Sequence, residues 1–462
     1  MAQAQLATLE TFLKDHPGIK YTPPSSPEYA SNRKVWNHAR RDNPLAIVRP
    51  ESVEQVSALV KFSRSNGIKF TIRGGGHNLQ GRAIAEGALT IDMRAFTSVK
   101  VASDGKTATV GAGILQEELA KSLWKEGLAT PTGTIPTVGY VGWAMYGGYG
   151  PFSSNWGLGV DQIVAATIVD ASGEIVKADD GLLKGIRGAG GVFGIILDVS
   201  IRVYSLKSIL AGVIIYDSQN IGKAITDYNA SYRELSKDGI PSQLTLQQVA
   251  FNAPPGRVFG VSFMWSSEDT EEGQRWSKRI ASLGKVLMNT ISATTIPAWF
   301  SANGAHVPQV VYGSSRTQNL YELTPELVET IGKNLEKLPS DHGTMFSIHQ
   351  SSVSSATPQS NSVFASREPH FMLEILGYAT QENYELSEQW AVDFWKDVQK
   401  TDNKNLLGST YISLDTSEEK PSQPDTLSRF FGCHADEIIE LKKKYDPQNV
   451  FDLTVPRLKH FM

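Results

Sequence analysis

The sequence predicts an α+β protein with two domains, and three observations support that fold class. The chain has 462 residues, more than one simple core usually holds. Up to residue 204, short strands with a period of two alternate with amphipathic helices. Beyond it, longer strands and helices follow a pattern typical of an antiparallel sheet covered by helices. We predict domains over 1–204 and 205–410 and a closing segment over 411–462.

Local patterns justify the elements of the first domain in order. Residues 1–30 contain an amphipathic helix, and a proline closes a short strand over 46–50. Ser52 then caps a helix, with Gln55 at the capping-box position. Further strands are predicted over 68–73, 89–93, 107–110, 163–169, 174–178 and 197–203. Residues 131–161 show no sustained period, and such a long irregular segment is usually functional.

Composition excludes several classes of protein. Hydrophobic residues make up 40% of the chain and charged residues 20%, as in ordinary globular proteins. A net charge of −4 without a basic run argues against nucleic acid or a membrane surface as partner. No apolar run approaches the roughly 20 residues that span a bilayer. The N-terminus lacks a basic region followed by an apolar one, so we expect no secretory signal and a cytoplasmic location.

Cysteine and histidine usage narrows the chemistry further. The single cysteine, Cys433, excludes an internal disulfide framework and fits a reducing compartment. We expect it to be a small buried thiol rather than a redox nucleophile. The nine histidines show no spacing typical of metal ligands, so we expect no metal site.

Residues 71–78, Thr-Ile-Arg-Gly-Gly-Gly-His-Asn, are the most informative stretch. A strand ends in three glycines, and His77 follows at the tip of the turn. Without Cβ atoms, backbone N–H groups in such a turn can approach a pyrophosphate. Taken alone, the residues fit an ordinary flexible turn equally well. The glycine run over 188–194 leads into a strand and lacks Rossmann spacing, so NAD binding is disfavoured.

Four ordered blocks together resemble the FAD-binding signature of the vanillyl-alcohol oxidase and p-cresol methylhydroxylase flavoproteins, in the berberine-bridge-enzyme-like branch. The blocks are the turn over 73–77, the Gly- and Pro-rich segment over 134–161, the glycine run over 187–194 and the closing stretch over 444–451. The resemblance implies a two-lobed PCMH-type FAD-binding domain and an antiparallel-sheet substrate domain. It also implies that the segment 411–462 returns to the FAD domain.

The same resemblance implies that FAD is the cofactor and that His77 bonds covalently to the 8α-methyl of its flavin. Relatives with a second bond have a cysteine where this chain has Ile135, so a single attachment is expected, as in 6-hydroxynicotine oxidases. The glycines of two loops are expected on the two sides of the phosphates. The expected FAD-binding residues are Arg73, Gly74, Gly75, Gly76, His77, Asn78, Gly81, Thr137, Val138, Gly139, Gly142, Gly147, Gly148, Gly150, Val192, Asn449 and Phe451.

The expected site above the flavin is bulky and apolar. Relatives with two flavin bonds have a glycine and a histidine near the positions of Val141 and Trp143. An aromatic or terpenoid-like metabolite is therefore expected in preference to a sugar. With Tyr140, these two residues are expected to form a wall that sets the access of oxygen. The expected substrate-binding residues are Tyr140, Trp143, Tyr146 and His349.

The catalytic base follows less directly. Relatives with a Tyr-x-Asn-Tyr stretch have a tyrosine as, or near, the base, but this chain reads Tyr411-Ile412-Ser413-Leu414. His370 and Glu374 share one strand face by period two, and a solvent-facing position suits each equally well. We rank His370 or Glu374 ahead of Tyr411 as the proton acceptor.

The predicted function is an FAD-linked oxidoreductase, an oxidase in secondary metabolism that takes hydride from a small apolar or aromatic molecule and reduces oxygen. A second class is a flavin-retaining cyclase in which FAD is mainly a scaffold. A non-catalytic binding module is a third. The sequence does not name the substrate or the oligomeric state.

Overall fold

A computed structural model describes residues 2–79, 81–254, 256–414 and 425–458. The predicted closing segment 411–462 thus lies partly outside the described residues. The helices are α1 (Ala2–Lys14), α2 (Tyr29–Asn32), α3 (Val53–Ser65), α4 (Gln116–Lys125), α5 (Tyr140–Ala144), α6 (Ser153–Trp156), α7 (Gly159–Gln162), α8 (Asp180–Ala189), α9 (Ile221–Ser236), α10 (Thr270–Ala281), α11 (Ile296–Gly304), α12 (Pro325–Leu335), α13 (Tyr384–Thr401), α14 (Asp425–Phe431) and α15 (Ala435–Tyr445).

The first lobe is a four-stranded sheet with the order β1-β2-β4-β3. Its strands are β1 (Lys20–Thr22), β2 (Ala46–Arg49), β3 (Phe70–Arg73) and β4 (Leu89–Asp92). The last three run parallel, and α3 packs its apolar face on them. The Ser52 side chain accepts the Gln55 N–H, so it caps α3 as predicted. The side chain of Gln55 accepts the N–H of Glu51 and not that of Ser52, so the predicted capping box is displaced by one residue.

The second lobe is an antiparallel sheet with the order β5-β6-β10-β8-β9. Its strands are β5 (Val99–Val101), β6 (Thr107–Gly111), β8 (Ile163–Val169), β9 (Ile175–Lys177) and β10 (Ile195–Arg202), and a short ribbon of β7 (Leu128–Ala129) and β11 (Tyr204–Ser205) lies apart. Ile195 and Leu197 of β10 join the core of the first lobe, so the two lobes share packing.

The third sheet has eight strands, antiparallel wherever they pair, with the order β15-β12-β14-β13-β18-β19-β17 and with β16 on β12. Its strands are β12 (Ile209–Tyr216), β13 (Leu244–Ala253), β14 (Gly256–Trp265), β15 (Val286–Asn289), β16 (Ser292–Thr294), β17 (Tyr312–Leu320), β18 (Thr344–Ser351) and β19 (His370–Ala379). Helices α9, α10, α12 and α13 cover one face.

Period two decides which side chains of this sheet meet the helices. Leu373 and Ile375 of β19, and Phe346 and Ile348 of β18, are buried in the core beneath the helices. Burying each such side chain contributes roughly 1.5–3 kcal/mol. The residues between them face the opposite way. Glu374 therefore points away from the helices, toward the first domain.

Helix α15 carries a buried ion pair into the core of the second lobe. The ammonium of Lys442 donates to the carboxylate of Asp446 at 2.6 Å and to the carbonyl oxygen of Val192 at 2.6 Å. Asp446 also accepts the N–H groups of Val450 and Phe451. Burial lowers the pKa of Lys442, against the opposing effect of Asp446. The pair thus shapes the turn that follows the helix.

Replacing Lys442 with Met should lower the free energy of unfolding by about 3 kcal/mol, because Asp446 stays buried without its cation. Urea unfolding followed by tryptophan fluorescence measures the loss. Lys443→Met is the matched control, since Lys443 pairs with Glu440 at the surface of the same helix. The control should cost less than about 1 kcal/mol. Similar losses in both variants would contradict a special role for the buried pair.

Two further findings concern the surface and possible metal sites. No described helix combines the length and apolarity needed to cross a membrane. Within the same residues, no group of three or more His, Cys, Asp or Glu is arranged to hold a metal ion. Cys433 is exposed, so the expectation of a buried thiol is wrong. It follows Gly432, whose φ of 52° turns the chain at the surface between α14 and α15.

Candidate functional site

One large cavity extends from between the two lobes of the first domain to the eight-stranded sheet. It holds about 1900 Å³ of empty space, including its open mouth. The turn over 74–78 and the segment 133–146 line one end. Side chains of β13, β18 and β19 line the other, together with residues 411–414. A molecule held between the lobes therefore has direct access to the face of the sheet.

The glycine turn brings the two lobes into backbone contact. A Cβ on Gly75 would lie 2.4 Å from the nitrogen of Gly139, so a side chain there would push the lobes apart. Gly76 has a φ of 73°, which wraps the turn over the guanidinium of Arg73. That buried guanidinium donates to the carbonyl oxygens of Asn32 and Lys34. Arg73 thus supports the turn from below and does not line the cavity.

The residues present fit a dinucleotide diphosphate. Among the described residues, the backbone N–H groups of 74–77 have no hydrogen-bond acceptor, although they lie in the cavity wall. A Cβ on Gly142 would meet nothing within 4 Å, so the helix α5 leaves open space beside them. Free amides in a groove without side chains are suited to phosphate oxygens.

His77 stands at the edge of this groove with its ring held by two contacts. Its Nε2 lies 2.7 Å from the hydroxyl of Thr137, and its ring stacks on Trp36 with centroids 5.3 Å apart. Burial lowers the pKa of His77 to about 4, and the nearby charge of Arg73 lowers it further in the same direction. The imidazole is therefore neutral at physiological pH, with a lone pair on one ring nitrogen.

A buried carboxylate occupies the opposite end of the cavity. Glu374 accepts a hydrogen bond from Ser347 at 2.6 Å and lies 3.0 Å from Nε2 of His349. That same nitrogen lies 3.0 Å from the side-chain amide of Gln247. Burial by itself raises the pKa of Glu374, but the imidazole and the two hydrogen bonds outweigh it and hold the pKa below its ordinary value. Glu374 is therefore ionised at neutral pH.

The hydrogen bonds of His370 define its tautomer. Its Nδ1 lies 2.6 Å from the carbonyl oxygen of Glu368, and a carbonyl can only accept, so Nδ1 carries the proton. Nε2 is then the acceptor, and it receives the hydroxyl of Tyr149 at 3.0 Å. Burial lowers the pKa of His370, which agrees with a neutral ring. His370 thus lies behind Tyr149, which does line the cavity.

Tyr411 completes the polar surroundings of the cavity. Its ring packs edge-on against Tyr149, with centroids 5.0 Å apart. Burial raises the pKa of Tyr411 to about 12, and the negative charge of Glu374 contributes in the same direction. Tyr411 therefore keeps its proton at neutral pH and can donate a hydrogen bond.

Comparisons with known proteins identify the family. The family described as FAD binding domain matches residues 44–179. The FAD-linked oxidoreductase aurO of Gibberella zeae is 33% identical over 445 residues, 94% of this chain and 85% of that protein. This chain belongs to the FAD-linked oxidoreductases.

Two further similarities extend this assignment of the oxidoreductase. The (R)-6-hydroxynicotine oxidase of Paenarthrobacter nicotinovorans is 28% identical over 317 residues, 66% of this chain and 68% of that protein. The solved structure of wild-type BBE-like 1 from Physcomitrella patens has a TM-score of 0.82 at 23% identity, and the match covers 97% of this chain and 99% of that one. The predicted berberine-bridge-enzyme-like family and the α+β two-domain fold are confirmed.

The structure divides the predicted site residues of this oxidoreductase into two groups. Those that line the large cavity are Gly74, Gly75, Gly76, His77, Asn78, Val138, Gly139, Gly142, Trp143, Tyr146, His349, Glu374 and Tyr411. Those that lie outside its wall are Arg73, Gly81, Thr137, Tyr140, Gly147, Gly148, Gly150, Val192, His370, Asn449 and Phe451. His370 is replaced as the partner of Glu374 by His349, because His370 is engaged by Tyr149.

The second glycine loop serves packing and not phosphate contact. A Cβ on Gly147 would lie 2.6 Å from the ring of Phe364, and one on Gly150 would lie 1.9 Å from the carbonyl oxygen of Thr132. The far side of the groove is formed instead by residues 191–196 and 453–455. The expectation that both glycine loops flank the phosphates is therefore not what the fold provides.

Three other predicted residues lie within packed regions. Tyr140 is fully buried in the second-lobe core, so it does not belong to the wall formed by Val141 and Trp143. Phe451 packs edge-on against Phe70 in the core of the first lobe. A Cβ on Gly81 would lie 2.5 Å from the side chain of Arg40, so this glycine allows a close side-chain contact.

Sequence reasoning missed several residues that line the cavity of the oxidoreductase. Gln247 faces it from β13, and period two along that strand could have indicated it, since Leu244 and Leu246 face the core. Trp36 carries no local signal, because its place depends on the carbonyl oxygen of Pro308, to which it donates. The other missed residues include Tyr149, Tyr378 and Ser413.

Proposed function

We propose that this oxidoreductase is an oxidase with covalently bound FAD that removes hydride from a carbon bearing an O–H or N–H group. The substrate is a small, largely apolar or aromatic molecule. The observation that carries the proposal is the buried Glu374 carboxylate, which faces the same continuous cavity as the glycine turn and His77.

Named residues would hold the cofactor. The free amides of 74–77 suit the pyrophosphate, and His77 at the groove edge suits the 8α carbon of the flavin. Ile135, in the cavity wall, offers no second attachment. Bound FAD would supply a two-electron acceptor in its isoalloxazine ring.

The side chains of the sheet would handle the proton. Removal of hydride from carbon leaves a cation unless the adjacent O–H or N–H group loses its proton, so an acceptor is needed. Glu374 is ionised, buried and within the cavity wall, which meets this requirement. His349 and Ser347 orient the carboxylate. Tyr411 keeps its proton and can donate to the substrate oxygen or nitrogen.

The lining of the cavity supports a substrate with one polar end. Gln247, His349 and Glu374 form a polar cluster, while the nearby wall is apolar. The apolar part is formed by Val141, Trp143, Leu376, Tyr378, Ile412 and Leu414. Such a surface matches an aromatic or terpenoid-like body with a single hydroxyl or amine better than it matches a sugar. Val141 and Trp143 remain the proposed wall for oxygen access.

The second candidate function, a flavin-retaining cyclase, is favoured by Leu414 in the place of the relatives' tyrosine and by the apolar wall. Anaerobic mixing with a substrate panel separates the two functions. The panel contains (R)-6-hydroxynicotine, benzylic alcohols, terpenoid alcohols and oligosaccharides. An oxidase loses its yellow absorbance with a panel member and regains it in air with release of H₂O₂. Turnover of a panel member without bleaching would contradict an oxidase and support a cyclase.

His349→Gln should move the acid limb of flavin reduction to higher pH. In the wild type, Glu374 has a lowered pKa and acts only when ionised, so the rate falls only when the pH drops below the usual carboxylate range, about 4.3. Loss of the imidazole removes the main lowering influence, and the pKa of Glu374 rises. Stopped-flow reduction across the acidic and neutral range measures the shift. His342→Gln, on an exposed loop, is the control. An unmoved acid limb in His349→Gln would refute the pairing.

A further inference from the structure

A second cavity lies on the outer side of His77. It holds about 1230 Å³ of empty space and shares Trp36, Gly75 and His77 with the large cavity. Thr137 lines it and is exposed. The imidazole of His77 therefore forms part of the partition between the cofactor groove and a solvent-accessible space.

The two nitrogens of His77 have different surroundings. Nε2 contacts the hydroxyl of Thr137 at 2.7 Å, and stacking on Trp36 holds the ring plane. In the described part of the chain, Nδ1 has no hydrogen-bond partner. Thr137 is the single recorded hydrogen-bond partner of the ring there, and the other polar residues of the second cavity, such as Lys34 and Glu117, do not contact it.

We propose that Thr137 is a positioning residue for covalent attachment of the flavin: its oxygen accepts the Nε2 proton of neutral His77, which leaves the lone pair on Nδ1. This inference rests on the proposed covalent attachment. The opposite tautomer, with the Thr137 hydroxyl donating to Nε2, would place the proton on Nδ1 and block bond formation there. The neutral state of the ring follows from its burial and from the charge of Arg73.

The attachment balances in atoms and electrons. A bond forms between Nδ1 and the 8α carbon, and one C–H bond of the methyl group breaks. Its proton leaves, and its electron pair stays in the isoalloxazine, which is reduced by two electrons and takes up protons. Dioxygen then removes the two electrons and two protons as H₂O₂. The alkylated imidazole is cationic until it loses the Nε2 proton, and the Thr137 hydroxyl leads that proton to water in the second cavity.

The test compares coupling rates in full-length chains produced under riboflavin limitation and then given FAD in air. Thr137→Val removes the hydroxyl at nearly constant volume, and Thr137→Ser restores it. Visible absorbance of the native protein measures total flavin, and the flavin retained after acid precipitation measures the covalent fraction. Ser301→Ala is the control, because Ser301 lines the second cavity without contacting His77.

We expect Thr137→Val to slow coupling roughly tenfold, the order of one lost hydrogen bond, at unchanged total flavin. Thr137→Ser should restore most of the rate, and Ser301→Ala should match the wild type. Wild-type coupling in Thr137→Val would overturn the role of Thr137 and leave covalent attachment standing. Loss of total flavin in that variant would assign Thr137 to cofactor binding and overturn the inference. Absence of covalent flavin in the wild type itself would refute the attachment on which the inference rests.

Discussion

Glu374→Gln should slow anaerobic reduction of the bound flavin by about 10²- to 10⁴-fold, the usual contribution of a positioned general base. The amide cannot accept the substrate proton, while its shape and its hydrogen bond from Ser347 are kept. Stopped-flow reduction by the panel member that bleaches the wild type measures the rate. Because the amide still fills the same space, we expect the limiting rate to fall far more than the substrate affinity.

The matched control is Glu382→Gln, which changes an exposed carboxylate on the loop between β19 and α13. It should leave the reduction rate unchanged. Both variants should contain as much flavin as the wild type, since neither residue touches the glycine turn. A wild-type reduction rate in Glu374→Gln would remove this carboxylate as the acceptor. Tyr411, the other candidate within the cavity wall, would then be the next residue to change.

His77→Ala should abolish covalent flavin while leaving part of the reversible binding. The free amides of 74–77 remain in the variant, so FAD still has its phosphate contacts. Denatured wild-type protein should fluoresce on a gel, and one flavin peptide containing His77 should appear in a tryptic digest. The variant should show neither signal.

His38→Ala is the control for this loss, because His38 lines the second cavity with no recorded contact to His77. It should keep the covalent flavin. Complete release of flavin from the wild type by trichloroacetic acid would refute the attachment. Fluorescence that persists in His77→Ala would instead place the bond on a different residue.

The parts of this site that sequence reasoning predicted are those that local periodicity determines. Alternation along residues 68–73 places His77 just beyond the end of β3, and alternation along β19 places Glu374 on the face away from the helices. Both patterns depend on neighbours within a few residues, so one segment is enough to predict them.

The errors come from contacts between distant segments. Period two gives the face of Glu374 but not its partner, and the diagonal position of His349 depends on the register between β18 and β19. His370 lies on the same strand, but Tyr149 from the first domain engages it. The glycines at 147–150 resemble a phosphate loop in sequence, yet a side chain there would strike residues far along the chain.

The catalytic carboxylate and the cofactor turn rest on separate supports. Glu374 is held at the centre of an eight-stranded sheet, with β18 on one side and β17 on the other. The glycine turn is held by contacts between the two lobes of the other domain. Substitutions along β13, β18 and β19 can therefore change the shape and polarity of the substrate end while the flavin stays in place. Such a chain can diversify its substrates in small evolutionary steps, each of which retains a loaded and competent enzyme.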